Sequence, residues 1–219
     1  MIKHSNLCDN TNSLLYKLKN AYLCIKPENV FFVLSIIFGT IILFINPPFL
    51  VPDEEAHFYR SYQLSQGILI PYNNSVPSEI YQLKANLGTD KIIVLHTYQS
   101  KLSLLRQFFI SSTYNSGDKL VNTTATLQYS PIAYFPQSIG ILIGRILSLP
   151  PISVFYLARI VNFLLSIFLI TLALKITPLL KWTFAIIALL PMTLYQLASV
   201  SADSITIALN IIYLSLFFI

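Results

Sequence analysis

Acidic, imidazole and guanidinium groups are concentrated in one short stretch of this sequence. Asp53, Glu54 and Glu55 are followed by His57 and Arg60, in a chain of which only 11% of the residues are charged. In a helix, Asp53, His57 and Arg60 recur at i, i+4 and i+7 and lie on one face, with Glu54 beside them. The stretch is therefore the first candidate for a functional site, with a carboxylate, an imidazole and a guanidinium presented together.

The residues around this stretch carry the signals of a short helix. Pro52 suits a first helical turn, and the acids that follow it are favoured by the positive end of the helix dipole. Gly67 is a plausible stop. Phe58 and Tyr62 add aromatic surface, so we predict a short helix that lies on the membrane face and presents the polar cluster. The alternative is a solvated amphipathic helix whose acids only stabilise its N-terminus.

The composition indicates a membrane protein. Of 219 residues, 55% are hydrophobic, and the mean hydropathy is +0.66. Long apolar runs exclude an ordinary soluble domain and predict an all-α, polytopic transmembrane bundle of about five spans. No basic cluster interleaved with aromatic residues is found, so nucleic acid is not an expected partner, whereas the lipid bilayer is. Cys8 and Cys24 both precede the first apolar run, which suggests a reducing side and no disulfide framework.

The chain divides into four parts along its length. Residues 1–28 form an N-terminal segment, 29–49 the first transmembrane helix, 50–128 a long loop with short surface helices, and 129–219 helices two to five. Lysines flank the first span, which places the N-terminus in the cytoplasm and the loop outside; they are Lys3, Lys17, Lys19 and Lys26. An uncleaved anchor is preferred over a signal peptide because no small-x-small site follows. The last apolar run stops at Ile219, so we expect a longer protein with its fifth span cut short.

Polar residues also recur within the later spans. Gly140 and Gly144 have the spacing of a close helix contact. Arg159 and Asn162 form a polar stripe that faces protein or water, as a site or as a structural pair between spans. Asp203, preceded by Gln196, is either a site residue or the N-cap of the fifth span, a role it would share with Ser201.

The orientation of these spans is ambiguous. Simple alternation puts Lys175 and Lys181 outside and Asp203 inside, whereas the positive-inside tendency prefers the reverse. A half-helix broken at Pro191 would resolve this conflict.

Several spaced motifs resemble a bacterial membrane family catalogued as domain of unknown function 2142. They are Pro-Pro-Phe-Leu-Val-Pro-Asp-Glu-Glu-Ala-His-Phe-Tyr-Arg (47–60), Tyr-Ser-Pro-Ile-Ala-Tyr-Phe-Pro-Gln (129–137), Arg159-x-x-Asn162, and Leu190-Pro-Met with Gln196, Ser199 and Ser-Ala-Asp203. The likeness covers roughly residues 30 to 219. That family is in turn similar to the GT-C class of integral-membrane glycosyltransferases.

The resemblance implies sugar transfer from a polyprenyl-phosphate donor to a cell-envelope acceptor, at the outer face of the bacterial cytoplasmic membrane. A carboxylate would take the proton of the acceptor, and positive charge would stabilise the departing phosphate. The expected base is Asp53 or Glu54. The residues expected to contact substrate are His57, Arg60, Arg159, Asn162, Gln196 and Asp203, with Arg145 as a further phosphate ligand. Asp53, Glu54 and His57 are candidate ligands of a divalent metal, although three residues on one turn are an incomplete set.

A second function remains open beside the enzyme. A non-enzymatic carrier or accessory subunit for envelope polysaccharide export would use the polar stripes to line a path and the loop to recognise a partner. Later spans with an outward domain favour the enzyme, whereas inverted repeats favour the carrier.

Overall fold

A computed structural model describes residues 26–70, 75–87, 120–122 and 129–218. These residues form eight α-helices, two short strands and one 3₁₀ turn. The elements are α1 (Pro27–Ile45), α2 (Glu54–Ser65), β1 (Ser75–Pro77), α3 (Ser78–Leu87), β2 (Leu120–Asn122), the 3₁₀ turn (Pro131–Tyr134), α4 (Phe135–Ile146), α5 (Pro151–Ile176), α6 (Lys181–Ala188), α7 (Pro191–Leu197) and α8 (Ala202–Phe217). The all-α prediction is thus confirmed, apart from the antiparallel pair β1–β2. The lysine flank before Lys26, and much of the expected loop with any further surface helices (residues 71–74, 88–119 and 123–128), lie outside the described residues.

Two helices are long and apolar enough to cross a membrane, or three if the bent pair α7–α8 counts as one span. The two are α1 and α5, which pack antiparallel. Phe163 of α5 lies where a side chain on Gly39 of α1 would be, and Arg159 reaches the Leu43 carbonyl at 3.0 Å. The end of α1 therefore lies beside the first third of α5. Five spans are not found among the described residues.

The second span, expected from residue 129 onward, is not found as one long helix. The chain forms the 3₁₀ turn and the 12-residue α4 there. At 1.5 Å per residue, α4 is about 18 Å long, too short for a bilayer core. It runs parallel to α2, since His57 bonds Tyr134 near one end and Arg145 bonds Ser65 near the other. The two helices therefore lie side by side.

The predicted close helix contact through glycine is found. A Cβ on Gly140 would lie 2.7 Å from the Leu157 carbonyl oxygen, and one on Gly144 would lie 3.0 Å from a Val154 methyl. The register makes α4 and α5 antiparallel and lets their backbones touch.

The expected fourth and fifth spans become three helices. Pro191 separates α6 from α7, as its missing N–H predicts. A break at residues 198–201 then turns the chain, and α7 and α8 are bent by 118°. Because Thr177, which follows α5, bonds Ser215 near the end of α8 at 2.5 Å, α8 returns toward the end of α5. We call residues 198–201 the helix break.

Three lysines lie at one end of this bundle, together with Glu28, and two of the acids of the expected site lie at the other end. The antiparallel register of α1 and α5 puts Lys26 at the same end as Lys175, and Lys181 donates to the Lys175 carbonyl at 3.1 Å. Asp53 and Asp203 lie at the other end.

The helix α2 is packed inside protein, which corrects the prediction of a helix on the membrane surface. Every side chain from His57 to Gln63 is buried. Its end is as predicted: Gly67 has a φ of 84°, Gly67 N donates to Leu64 O at 2.9 Å, and Ile68 N donates to Gln63 O at 3.1 Å. This is the Schellman pattern, which favours glycine after the last turn.

Candidate functional site

The carboxylate of Glu54 lies at the centre of the packed end of the bundle. It forms an ion pair with Arg159, and both side chains are 0% exposed. Arg159 donates from Nε to Oε1 at 2.8 Å and from Nη2 to Oε2 at 2.7 Å. The backbone N–H groups of Phe49 and Val200 each donate to the same carboxylate at 3.0 Å. Four donors fill the roughly four lone-pair sites of a carboxylate.

The guanidinium of Arg159 is also fully hydrogen-bonded. Besides Glu54, it donates to the carbonyls of Leu43, Asn46 and Pro47 at 3.0, 2.8 and 3.3 Å. Its planar group lies over the ring of Phe155, 4.8 Å from the centroid. All of its N–H groups thus have protein partners, which leaves none for a phosphate in this arrangement. The pair binds the end of α1 to α5 and to the helix break.

Polar side chains from three helices satisfy the backbone of the helix break. Asn162 donates to the Ser199 carbonyl at 2.8 Å, and Gln137 donates to the Ser201 carbonyl at 2.8 Å. Glu54 accepts from Val200 N, as described above. Non-helical backbone inside a membrane protein needs such internal partners, because lipid offers none. Asn162 therefore holds the break in place, which is the structural alternative considered for it.

Four side chains from three separate elements form a second polar group, which we call the acid–imidazole cluster: Asp53, His57, Tyr134 and Asp203. Nδ1 of His57 lies 2.9 Å from the hydroxyl of Tyr134. Asp53 precedes α2 with a left-handed φ of 58°, its side chain is exposed, and it makes no capping hydrogen bond. Asp203 lies in the first turn of α8, half-buried, while Ser201 serves as the N-cap by accepting from Asp203 N at 3.1 Å. The carboxylates of Asp53 and Asp203 are thus free of the capping role.

The negative charges of nearby carboxylates act on the imidazole of His57. Burial lowers its pKa below the usual value, and the negative charges of Asp203, Asp53 and Glu54 raise it by smaller amounts. Because burial dominates, the neutral imidazole is favoured near neutral pH. Depending on its tautomer, the neutral imidazole of His57 either accepts a hydrogen bond from the Tyr134 hydroxyl or donates one to it.

The two other arginines of the expected site make their hydrogen bonds at the C-terminal end of α2. Arg60 donates to the carbonyls of Ile68 and Leu69, at 3.0 and 2.5 Å, and so fixes the chain after Gly67. Arg145 donates to the Ser65 carbonyl at 2.9 Å, and its guanidinium carbon lies 5.3 Å from the centroid of the Tyr62 ring. Both therefore serve the C-terminal end of α2.

The candidate metal ligands do not converge. Among the described residues, no group of three or more His, Cys, Asp or Glu side chains is arranged to hold a metal ion. The reason is local: Glu54 turns inward to Arg159, while Asp53 stays outside.

The described residues also form an apolar groove of about 420 Å³. Its lining comes from the end of α2, the 3₁₀ turn, α4, α5 and α8, and includes Leu64, Ile132, Leu165, Ile205 and Leu209. The groove and the acid–imidazole cluster share two elements, the 3₁₀ turn that ends at Tyr134 and the helix α8 that begins next to Asp203.

Several participants were not among the expected site residues. Tyr134 and Gln137 belong to the second quoted motif, so a signal for them was present. The backbone N–H groups of Phe49 and Val200 carry no signal in the sequence, because they reach Glu54 only through the tertiary fold.

Two of the three comparisons with known proteins, those with curated proteins and with solved structures, find no significant match. The third finds a family model, described as a predicted membrane protein (DUF2142), that matches residues 36–218. This range contains α2, Arg159, the helix break and Asp203, which are the elements that build the packed end of the bundle. The chain is therefore a member of the DUF2142 family of membrane proteins.

Proposed function

We propose that this chain forms the N-terminal part of a GT-C-like membrane glycosyltransferase. The enzyme moves a sugar from a polyprenyl-phosphate donor to a cell-envelope acceptor at the outer face of the bacterial cytoplasmic membrane. The observation that carries the proposal is a pair of acids without a capping role, Asp53 and Asp203, whose charges both act on the buried His57. An apolar groove lined by the 3₁₀ turn and α8 supports it. A lipid-linked substrate needs this combination of an apolar path and a polar reaction centre.

The proposed reaction is a displacement at the anomeric carbon of the donor sugar. The acceptor oxygen attacks this carbon, the bond to the phosphate oxygen breaks, and the electron pair leaves with the polyprenyl phosphate. The acceptor proton passes to a carboxylate. Asp53 is the better base of the adjacent pair, because Glu54 already accepts four hydrogen bonds while Asp53 is exposed.

The ion pair takes a positioning role in this proposal. Glu54 follows Asp53 directly and is fixed by Arg159, so the pair holds Asp53 at the start of a rigid helix. Positioning of this kind contributes to catalysis by keeping reacting groups in one geometry. Arg159, first considered a phosphate ligand, is thus proposed to act on the site through Glu54.

The test is the Asp53→Asn variant, which keeps the size of the side chain and removes its charge. We expect transfer to fall by about two orders of magnitude or more, the scale of a lost acid–base group, at normal protein level. The assay measures glycosylated product in membrane vesicles supplied with polyprenyl-phosphate-linked hexoses or aminosugars.

Glu55→Gln is the matched control, since it removes a charge two residues away. Glu55 accepts from Tyr59 at 2.8 Å and from Lys84 at 2.6 Å, on the side of α2 that faces α3. Glutamine keeps the size of the side chain and one of the two acceptor oxygens. Its transfer rate should stay close to that of the parent. Equal rates for Asp53→Asn and the parent would refute the role of Asp53.

The helix break favours a second function, a non-enzymatic carrier or accessory subunit for polysaccharide export. Discontinuous helices often form binding sites in transporters. The carrier requires movement of a lipid-linked glycan without new covalent bonds. If vesicles move such a glycan across the membrane while Asp53→Asn matches the parent, the carrier replaces the enzyme.

A further inference from the structure

Buried oxygen atoms surround the helix break without a hydrogen-bond partner in the described part of the chain. They are Oε1 of Gln137, Oδ1 of Asn162, Oγ of Ser166 and Oε1 of Gln196. The side chains of Gln137, Asn162 and Ser166 are 0% exposed. Buried polar atoms are almost always paired, and each unpaired one costs about 1–3 kcal/mol, so a set of four requires an explanation.

The orientation of both key amides is fixed by their other ends. Nδ2 of Asn162 donates to the Ser199 carbonyl and to Ser204 Oγ, both at 2.8 Å. The hydroxyl of Ser204 in turn donates a hydrogen bond to the Gln196 carbonyl at 2.7 Å. Rotating the Asn162 amide would set its oxygen against the Ser199 carbonyl. The same holds for Gln137, whose Nε2 donates to the Ser201 carbonyl. The remaining amide oxygens are therefore acceptors that need donors.

The register of α4 against α5 brings these acceptors together. Gly140 lies against Leu157 and Ala158, and Gly144 against Val154, in an antiparallel pair. Three residues before Gly140, Gln137 comes opposite residues 161–162. Ser166 lies one turn beyond Asn162 on the same face of α5.

We propose that ordered water molecules bind inside the helix break and donate hydrogen bonds to Gln137, Asn162 and Ser166. A buried water needs two to four polar partners, and these buried acceptors offer them. About two waters, each donating two hydrogen bonds, would satisfy these three acceptors together with Oε1 of Gln196. The bent pair α7–α8 then turns around a hydrated site.

Water fits this site better than a cation does. The acceptors are neutral amide and hydroxyl oxygens, and the carboxylate that bonds the helix break, that of Glu54, is already neutralised by Arg159. A cation buried without a counter-charge would carry a large desolvation cost. A hydrated break can also exchange partners when the half-helices move, because water re-pairs the exposed groups.

The first test is a crystal structure of the full chain grown from a lipidic phase, at a resolution at which ordered waters are visible. We expect peaks within hydrogen-bond distance of Gln137 Oε1 and Asn162 Oδ1, and equal thermal midpoints in sodium chloride and choline chloride. Absence of such peaks overturns the proposal. A midpoint that rises with sodium overturns it as well, because it indicates a bound cation.

The second test uses Ser166→Ala, with Ser35→Ala as the matched control. Ser35 is a buried serine whose hydroxyl bonds the Phe31 carbonyl of its own helix at 2.5 Å. If water binds Ser166, its loss should lower the thermal midpoint by about 2–4 °C relative to the control. In a dry site, removing an unpaired hydroxyl stabilises the protein, so a midpoint equal to or above that of Ser35→Ala contradicts the proposal.

Discussion

Asp53 and Glu54 are neighbours in sequence with opposite environments. The first is exposed in a left-handed conformation, which aspartate tolerates better than most residues. The second is buried among four donors. Phe49 also has a positive φ, 63°, which is unusual for a bulky side chain, and its N–H bonds Glu54. The turn before α2 therefore contains two residues with strained backbone conformations, Phe49 and Asp53. In this conformation Glu54 is directed into the protein and Asp53 outward.

A double-mutant cycle tests the energetic role of the ion pair. Removing one partner of a buried pair leaves an uncompensated charge or unpaired donors, so Glu54→Gln and Arg159→Met should each destabilise the protein by about 3–5 kcal/mol. The double variant should lose clearly less than the sum of both. The measurement is the free energy of unfolding of the full chain in detergent micelles.

The control for this cycle is a second acid–base pair that is expected to contribute little to the stability of the fold. Lys84 and Glu55 form such a pair, 2.6 Å apart and partly exposed. Its coupling should be at most about 1 kcal/mol. If the Glu54 and Arg159 changes proved additive, the two groups would not stabilise the fold as one unit.

At the scale of elements, the contact of α4 with α5 decides where the 3₁₀ turn and Tyr134 lie. This contact depends on glycine, because the atoms facing Gly140 belong to the backbone of α5, which cannot rotate away. The atoms nearest Gly144 belong to the Val154 side chain, together with its Cα.

Alanine at these two glycines should therefore have graded effects. We expect Gly140→Ala to cost about 1–3 kcal/mol of unfolding free energy, the usual cost of overpacking. Gly144→Ala should cost less, because Val154 can adjust its rotamer. Thermal midpoints of the two variants, measured side by side, check the order, and a larger loss at Gly144 would contradict the described register.

Sequence patterns predicted the elements better than their arrangement. The apolar runs located α1 and α5, Pro191 marked a helix boundary, and Gly67 marked the end of α2. Hydropathy could not show that α4 lies beside α2. An apolar helix of 12 residues has the same hydropathy whether it is part of a membrane span or packs against other helices. The site showed the same limit: Asp53, Glu54 and Arg159 were recognised, but the pairing of Glu54 with Arg159 depends on a contact between distant residues.

At the scale of the whole molecule, the position of three lysines predicts an orientation. Lys26, Lys175 and Lys181 lie at one end of the bundle, and the acid–imidazole cluster lies at the other. Since lysines favour the cytoplasmic side, we propose that the cluster faces outward.

Cysteine labelling tests this orientation. In a background without Cys8 and Cys24, a cysteine at the exposed Gln82 in α3 should react with a membrane-impermeant maleimide from outside. A cysteine at the exposed Leu179, between α5 and α6, should react only after the membrane is opened. Labelling of both from the same side would refute the separation of the two ends, and with it the placement of the proposed reaction.

The ion pair also constrains how the protein is made. Glu54 leaves the ribosome 105 residues before Arg159 and 146 residues before Val200. At about 5–20 residues per second, synthesis of the intervening chain takes several seconds or more. During that time the carboxylate lacks three of its donors, which are Nε and Nη2 of Arg159 and the N–H of Val200. It must therefore stay in water or against the insertion machinery. The bundle can close around Glu54 only after α8 has begun to emerge, so assembly of this end is a late event in biogenesis.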